Sequence, residues 1–235
     1  MVVCAIVPVK NLGASKQRLS EIFNPQERTL LTIAMLEDVL SALKKSVVDK
    51  VVVVGENSEV NQEAKKFGAY YLSGCQVGLN PAVEEASTWC ADKGASSILV
   101  LPADIPLVTA QDINQIIDPR FGEPLVVLSP SQNWGTNALY QNPPKLIPAC
   151  FGPKSFMNHI KEAYIRKTLV RVHFSTEFAT DIDSVIDLKI LLKTETDSAC
   201  KRILEQITRD NSRQSLLRQI RHGVRNKKAK RVLTS

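Results

Sequence analysis

The stretch Ser96-Ser-Ile-Leu-Val-Leu-Pro-Ala-Asp-Ile-Pro106 decides the fold. Residues 97–101 form a short apolar run, which is typical of a central parallel strand that helices cover on both faces. The run ends at a proline-flanked aspartate, Asp104, as a loop at the carboxyl end of such a strand would. The chain is therefore predicted to be an α/β protein with this strand inside its sheet.

The same alternation of β-branched runs and amphipathic segments continues on both sides of this stretch. Further strands are predicted over 2–7, 50–54, 125–128, 137–140 and 170–174. Helices are predicted over 24–43, 58–67, 80–94, 109–117, 155–167, 185–192 and 200–207. Because strands and helices alternate, we expect a mostly parallel central sheet with helices on both faces.

The positive charge of the chain is confined to its end. The net charge is +6 over 235 residues, yet residues 209–235 alone carry nine Lys or Arg against one Asp. The other 208 residues carry 21 basic and 23 acidic groups, so the main body is slightly acidic. We therefore expect a domain over residues 1–195 and a basic tail, helical or disordered, over 196–235.

Composition also excludes several classes of protein. No apolar run approaches the roughly 20 residues that span a bilayer, so no membrane association is expected. The five cysteines are scattered and form no CxxC pair, which argues against a disulfide framework and against a zinc site. A reducing cytoplasm is the location that this pattern favours.

The loop after the first strand is rich in cations. Lys10, Lys16 and Arg18 lie within nine positions of one another. Several cations and free backbone N–H groups are what a triphosphate needs, so this loop is a candidate phosphate-binding loop. It lacks the GK[ST] ending of a Walker A loop. A solvated surface loop remains the alternative.

Two acidic segments are placed to hold a metal ion. Asp104 follows the central strand, and Asp181 and Asp183 precede the helix predicted over 185–192. In an extended segment Asp181 and Asp183 point to the same side, and carboxylate oxygens are ligands that Mg²⁺ prefers. The alternative is that Asp104 only caps a turn and that Asp183 or Ser184 only caps a helix.

Two further segments are unusual for a pure scaffold. Residues 135–139, Gly-Thr-Asn-Ala-Leu, begin a strand with small and amide side chains. Residues 151–156, Phe-Gly-Pro-Lys-Ser-Phe, lead into a helix whose N-terminus could hold an anion. His159 lies one or two turns into this helix, where a surface position is expected.

Together these segments resemble the 2-phospho-L-lactate guanylyltransferase (CofC) family, a branch of the MobA-like nucleotidyltransferases. The resemblance covers residues 2 to 193 and is carried by the motifs PVK-x5-K-x-R-L, LN-x-A, PADIPL, GTNAL, FG-x-x-SF-x-x-H and TDID. It implies a Rossmann-like nucleotidyltransferase fold of the nucleotide-diphospho-sugar transferase type. It also implies transfer of GMP from GTP to 2-phospho-L-lactate, with release of pyrophosphate, in the biosynthesis of coenzyme F-420.

The resemblance assigns roles to individual residues. It implies a catalytic set of Lys10, Lys16, Arg18 and Asp104, nucleotide contacts from Lys10, Lys16, Asn80 and Asp104, acid-substrate contacts from Thr136, Asn137, Gly152 and Ser155, and Mg²⁺ ligands Asp104, Asp181 and Asp183. Family members often have a second glycine before GTNAL, where this chain has Trp134. This departure bears on the identity of the acid substrate more than on the reaction.

Three alternatives stay open at this point. Phosphoenolpyruvate could replace 2-phospho-L-lactate as the acid substrate, because a few buried contacts would decide between the two. A protein that binds nucleic acid through its basic tail is the alternative from another class, although the tail lacks aromatic residues for base stacking and only weak electrostatic binding is expected. A homodimer is compatible with the sequence but is not indicated by it.

Overall fold

The computed structural model describes residues 1–10, 12, 16–73, 78–117, 124–195 and 197–209. Through these residues run seven strands: β1 (Val3–Pro8), β2 (Lys50–Gly55), β3 (Tyr70–Ser73), β4 (Ser97–Val100), β5 (Leu125–Pro130), β6 (Thr136–Asn142) and β7 (Leu169–Val172). They form one sheet in the order β3-β2-β1-β4-β6-β5-β7. All neighbouring pairs are parallel except those of β6, which is antiparallel to β4 and β5. The predicted mostly parallel sheet is confirmed, with β4 at its centre.

The described residues also form the helices α1 (Pro25–Lys44), α2 (Ser58–Lys66), α3 (Leu79–Asp92), α4 (Ala110–Ile116), α5 (Ser155–Ile165), α6 (Thr176–Ala179), α7 (Val185–Lys193) and α8 (Ala199–Arg209). A short 3-10 helix covers Gln17–Leu19. The start of α1 shows why these helices begin where they do. Asn24 and Glu27 exchange side-chain and backbone hydrogen bonds in a capping box, and Pro25 occupies the first turn.

The helices cover both faces of the sheet, as predicted. In β1, Val3, Ala5 and Val7 belong to an apolar cluster with α1, α2 and α4. Cys4 and Ile6, which alternate with them, belong to the opposite cluster with α3 and α5. Successive strand residues point to opposite faces, so a run that is apolar throughout marks a strand buried on both sides.

A third apolar cluster lies away from the sheet and joins α1 to α7 and α8. Met35 of α1, Leu188 of α7 and Leu204 of α8 are fully buried in it. The helix predicted over 200–207 is therefore a packed element, and the packed part of the chain extends past the boundary expected at residue 195. The rest of the predicted tail, residues 210–235, lies outside the described residues.

Besides the 3-10 helix, two elements were not predicted. Strand β3 is a half-exposed edge strand of four residues, and α6 is a helix of one turn. Both are too short to show a periodic pattern in the sequence. In the part of the chain that the structure describes, no helix combines the length and apolar character needed to cross a bilayer.

Candidate active site

One large pocket lies beyond the carboxyl ends of β1 and β4. It has a volume of about 740 Å³, which is in the range of small-molecule sites. Because β6 is antiparallel to β4, its first residue lies at the edge where β4 ends. Ten of the eleven predicted site residues line the pocket: Lys10, Lys16, Arg18, Asp104, Thr136, Asn137, Gly152, Ser155, Asp181 and Asp183.

The acidic end of the pocket is organised around Lys16. Its Nζ atom lies 3.0 Å from Oδ2 of Asp104 and 2.6 Å from Oδ1 of Asp183. The two acidic segments are also joined directly, because the backbone N–H of Ile182 donates to the backbone carbonyl of Asp104 over 2.9 Å. The structure therefore brings together the three carboxylates that the sequence places in two distant segments.

The charges at this end depend on one another. Burial by itself would lower the pKa of Lys16, but attraction to Asp104 and Asp183 outweighs it and raises that pKa. Burial would raise the pKa of Asp183, yet Lys16, Lys10 and Arg18 lower it overall. Burial and repulsion from Asp104 and Asp183 raise the pKa of Asp181. Three carboxylates thus share one buried ammonium group and two nearby cations.

The donor chemistry of this end fits a divalent cation. Carboxylate oxygens are hard ligands of the kind that Mg²⁺ prefers. Burial is the main reason why the pKa of Asp181 is raised, and repulsion from Asp104 and Asp183 adds to it. Among the described side chains, no group of three or more His, Cys, Asp and Glu is arranged as a metal site. Lys16 Nζ occupies the space between two of the three carboxylates, so metal binding would require these side chains to rearrange.

The cations of the predicted phosphate-binding loop differ in their burial and in the groups that they face. Lys10 and Arg18 line the pocket and lie close enough to lower the pKa of Asp183. Lys16, in contrast, is almost fully buried and points at the carboxylates. Residues 11 and 13–15 of the loop lie outside the described residues. Lys10 and Arg18 are therefore the two described cations of this loop that face the pocket without being held between carboxylates.

The opposite end of the pocket is built from β6 and the N-terminus of α5. Thr136, Gly152 and Ser155 line it together, and a helix N-terminus directs N–H groups and a positive dipole end at an anion. An added Cβ at Gly135 would lie 2.8 Å from Oγ of Ser131, so a side chain at this position would displace that hydroxyl. This end suits a phosphate or carboxylate group.

The backbone at Trp134 has a conformation that favours glycine. Its φ angle is 60°, in the left-handed region that glycine adopts without steric cost. Trp134 is exposed and its ring lies 6.0 Å from that of Phe156. The aromatic contact with α5 accompanies a backbone conformation that is unusual for a bulky residue.

Two predicted site residues hold backbone segments in place. The side chain of Asn80 receives the N–H of Phe151 over 2.7 Å and donates to the carbonyl of the same residue over 3.0 Å. Asn80 is the one predicted site residue that does not line the pocket, and its contact with the nucleotide stays a prediction. Asn137 lines the pocket and also donates to the carbonyl of Phe178.

The expected surface position of His159 is wrong. Its side chain is fully buried, with Thr136 on one ring nitrogen and the backbone of Cys150 on the other. Helical periodicity could have placed His159 inward, since it lies on the same side of α5 as buried Ser155 and Ala163. Sequence reasoning had no signal for its hydrogen-bond partners.

Comparison with known proteins shows the family to which the chain belongs. Residues 3–226 match the family model described as guanylyl transferase CofC like. A phosphoenolpyruvate guanylyltransferase of Rubrobacter xylanophilus is 39% identical over 80% of this chain and 92% of its own length. A 2-phospho-L-lactate guanylyltransferase of Methanothermobacter thermautotrophicus is 35% identical over 83% of this chain and 86% of its own length.

The fold is shared with solved structures at much lower sequence identity. A protein from Desulfovibrio desulfuricans, provisionally assigned to the nucleotide-diphospho-sugar transferases, superposes with a TM-score of 0.73 at 16% identity. The match covers 94% of this chain and 99% of that one. The predicted fold type is confirmed.

Proposed function

Because the chain belongs to the CofC-like family of guanylyl transferases, we propose that it transfers GMP from GTP to a small acid carrying a phosphate next to its carboxylate. Pyrophosphate is the second product. The observation that carries the proposal is the composition of one pocket: cations and three carboxylates at one end, and an anion-binding helix N-terminus at the other. We also propose that the reaction takes place in the cytoplasm.

The chemistry follows from the charges of the reactants. A phosphate oxygen of the acid attacks the α-phosphorus of GTP, the bond to the β-phosphate oxygen breaks, and pyrophosphate leaves. Both reactants are anions, so catalysis consists mainly of positioning and charge neutralisation. The attacking phosphate oxygen is already ionised and needs no general base. In this proposal the residues therefore bind, orient and neutralise the two anions.

We assign the two ends of the pocket to the two substrates. Lys10 and Arg18 hold the triphosphate, and Thr136, Gly152 and Ser155 hold the acid. Asp104, Asp181 and Asp183 would bind Mg²⁺, which supplies positive charge to the phosphates when bound. Lys16 keeps Asp104 and Asp183 together at the acidic end of the pocket.

The proposed acid is 2-phospho-L-lactate, with phosphoenolpyruvate as the alternative. Similar relatives carry both names, at 35% and 39% identity respectively. The two acids share the three-carbon skeleton, the carboxylate and the phosphate on the second carbon, so one anion-binding end serves either. They differ in the geometry of that carbon, which is tetrahedral in the lactate and planar in the enol. A role in coenzyme F-420 biosynthesis goes with this choice.

Pyrophosphate release tests the proposal directly. The purified protein is incubated with Mg²⁺, each of the four nucleoside triphosphates, and either 2-phospho-L-lactate or phosphoenolpyruvate. We expect release with GTP only, dependent on one of the acids and abolished by a chelator. Release with another nucleotide would refute the guanylyl specificity, and equal release without any acid would refute transfer to an acid.

A further inference from the structure

His159 links the two walls of the proposed acid-binding end. It lies in α5 with no exposed surface. Its Nδ1 is 2.9 Å from Oγ1 of Thr136, at the start of β6. Its Nε2 is 2.9 Å from the backbone nitrogen of Cys150, in the segment that leads to Gly152. A single buried ring therefore contacts both elements that line this end of the pocket.

The contact with Cys150 fixes where the imidazole carries its proton. A backbone N–H can only donate, so Nε2 must offer its lone pair to Cys150. The ring is then neutral, because an imidazolium would place a second hydrogen against that N–H. Its one proton lies on Nδ1, which donates to Oγ1 of Thr136. Burial lowers the pKa of His159 to about 4, in agreement with the neutral form.

The direction of this hydrogen bond determines what Thr136 can do. Its oxygen receives the proton of His159, so its own hydroxyl proton is left to donate elsewhere. Among the described residues, none accepts that proton, and Thr136 lines the pocket beside Ser155. An anionic oxygen of the acid substrate is the complementary partner, because a phosphate or carboxylate accepts hydrogen bonds and cannot donate them when ionised.

The second contact of His159 belongs to a set that holds the neighbouring loop. Three consecutive backbone N–H groups donate to three side chains: Ala149 to Glu84, Cys150 to His159 and Phe151 to Asn80. Glu84 and Asn80 belong to α3, whereas His159 belongs to α5. The segment just before Gly152 is thus anchored from two helices by side chains rather than by sheet or helix hydrogen bonds.

We infer that His159 is a positioning residue for the acid substrate: through its Nδ1 proton it presents the hydroxyl of Thr136 as a hydrogen-bond donor to that substrate. This inference rests on the proposed function for the identity of the ligand. The tautomer and the orientation of Thr136 rest only on the contacts of His159. His159 itself does not line the pocket and acts through Thr136.

A matched pair of substitutions separates the two contacts of His159. In His159→Asn the amide nitrogen takes the place of Nδ1 and can still donate to Thr136, but it cannot reach Cys150. In His159→Gln the amide oxygen takes the place of Nε2 and can still accept from Cys150, but it cannot reach Thr136. Both variants lose one buried hydrogen bond, so a purely structural role predicts similar effects.

Steady-state kinetics, with each substrate varied in turn, measures the difference between the two His159 variants. For His159→Gln we expect the KM for the acid to rise about tenfold, the worth of one oriented hydrogen bond, while the KM for GTP stays unchanged. For His159→Asn we expect a smaller rise. An equal rise in both variants, or a parallel rise in the KM for GTP, would overturn the inference.

Thr136 provides the second arm of the test. Thr136→Val removes the hydroxyl and should raise the KM for the acid, whereas Thr136→Ser keeps the hydroxyl and should raise this KM less. In the Thr136→Val background, His159→Gln should cause no further rise. A further tenfold rise there would show that His159 acts by another route. The Thr136 variants also serve if the His159 variants fail to fold.

A measurement that needs no activity distinguishes this inference from the proposed function. Nitrogen-15 NMR of the imidazole groups reports which ring nitrogen carries the proton, and comparison with His159→Asn assigns the signal. We expect a neutral ring with its proton on Nδ1 between pH 8 and pH 5. A proton on Nε2, or an imidazolium in this range, would overturn the inference even if the enzyme is fully active. An inactive wild-type enzyme with the expected tautomer would refute only the proposed function.

Discussion

At the scale of single residues, Lys16 does the most to assemble the candidate site. It connects Asp104 to Asp183, which lie 88 and 167 positions away from it in the chain. Its φ angle of 52° is in the left-handed region, at the residue that directly precedes the short 3-10 helix Gln17–Leu19. One buried ammonium group offsets part of the repulsion among three carboxylates, which explains how they can share one end of a pocket.

Asp104 is the residue whose loss should affect catalysis most specifically. We expect Asp104→Asn to lower kcat at least about 100-fold, because it removes a charged oxygen ligand of the proposed Mg²⁺. Thermal unfolding should stay cooperative, since the side chain is partly exposed and its backbone carbonyl keeps its bond to Ile182. Pyrophosphate release measures the effect, and Asp92→Asn, at the exposed end of α3, is the control. Wild-type turnover by a folded Asp104→Asn protein would refute a catalytic role for Asp104.

The buried His159 makes stability depend on pH in a defined direction. Burial lowers its pKa from 6.5 to about 4, so between these values the unfolded chain binds a proton that the folded protein does not. The contribution of His159 to the free energy of unfolding is complete above pH 6.5 and is lost as the pH falls toward 4. We expect a loss of about 3 kcal/mol from this residue over that window.

Urea unfolding at several pH values measures this contribution. The difference between wild type and His159→Asn isolates it, because burial also lowers the pKa of His173 and both proteins share that effect. The free energy of unfolding should fall more steeply in the wild type between pH 6.5 and 4. Parallel curves for the two proteins would contradict the assigned burial of a neutral His159.

At the scale of secondary-structure elements, a carboxylate of α1 caps the N-terminus of α8. Oδ1 and Oδ2 of Asp38, in α1, accept the backbone N–H groups of Ala199 and Cys200 over 2.6 and 2.9 Å. A helix begins with N–H groups that lack partners within the helix, so Asp38 caps α8 from another helix. Burial is the main reason why the pKa of Asp38 is raised to about 6.

Removal of this carboxylate should loosen α8 and leave the rest of the fold intact. We expect Asp38→Ala to lower the free energy of unfolding by about 1–2 kcal/mol, since two buried N–H groups lose their partner. Hydrogen exchange should accelerate in residues 199–209 before it does in β1 or β4. Glu37→Ala is the control, because it removes only a partly exposed contact with Arg202. Uniform acceleration across the sheet would contradict a local role.

The antiparallel strand β6 is the other element that determines the site. Because it runs against β4 and β5, its N-terminal residue Thr136 lies at the edge where the parallel strands end. A parallel strand in the same position would have placed Thr136 at the opposite edge of the sheet. One reversed strand thus brings the GTNAL segment into the pocket.

At the scale of the whole molecule, the fold has three apolar clusters, and the third depends on α8. It packs Leu31 and Met35 of α1 against Leu191 of α7 and Leu204 of α8. The domain expected to close at residue 195 would leave these side chains exposed. Removal of α8 should therefore destabilise a part of the protein that also carries Asp181 and Asp183, since Ile182 belongs to this cluster.

Two truncations test where the domain ends. A chain that stops after Arg209 should keep its stability and its GTP-dependent activity, because residues 210–235 are expected to be a basic tail. A chain that stops after Glu195 should lose at least about 3 kcal/mol of stability, since it exposes the apolar face that α8 covers. Thermal unfolding and pyrophosphate release are the measurements. A stable, active chain ending at Glu195 would confirm the expected boundary and refute a structural role for α8.

The sequence by itself determined the α/β class, the central position of the strand before Asp104, most of the element boundaries to within two residues, and ten of the residues that line the pocket. These features depend on local pattern: a strand buried on both faces is apolar throughout, a helix begins at a capping residue, and ligands collect beyond the carboxyl ends of parallel strands. The motif resemblance supplied the roles that pattern alone left open.

Only the tertiary structure decided which of these side chains meet. No local pattern shows that Lys16 lies between Asp104 and Asp183, that Asn80 holds Phe151, or that Asp38 caps α8, because each contact joins segments far apart in the chain. The burial of His159 has the same origin. The imidazole of His159 contacts β6 and the segment around Cys150 only once both have packed against α5. Its tautomer is set by the backbone N–H of Cys150.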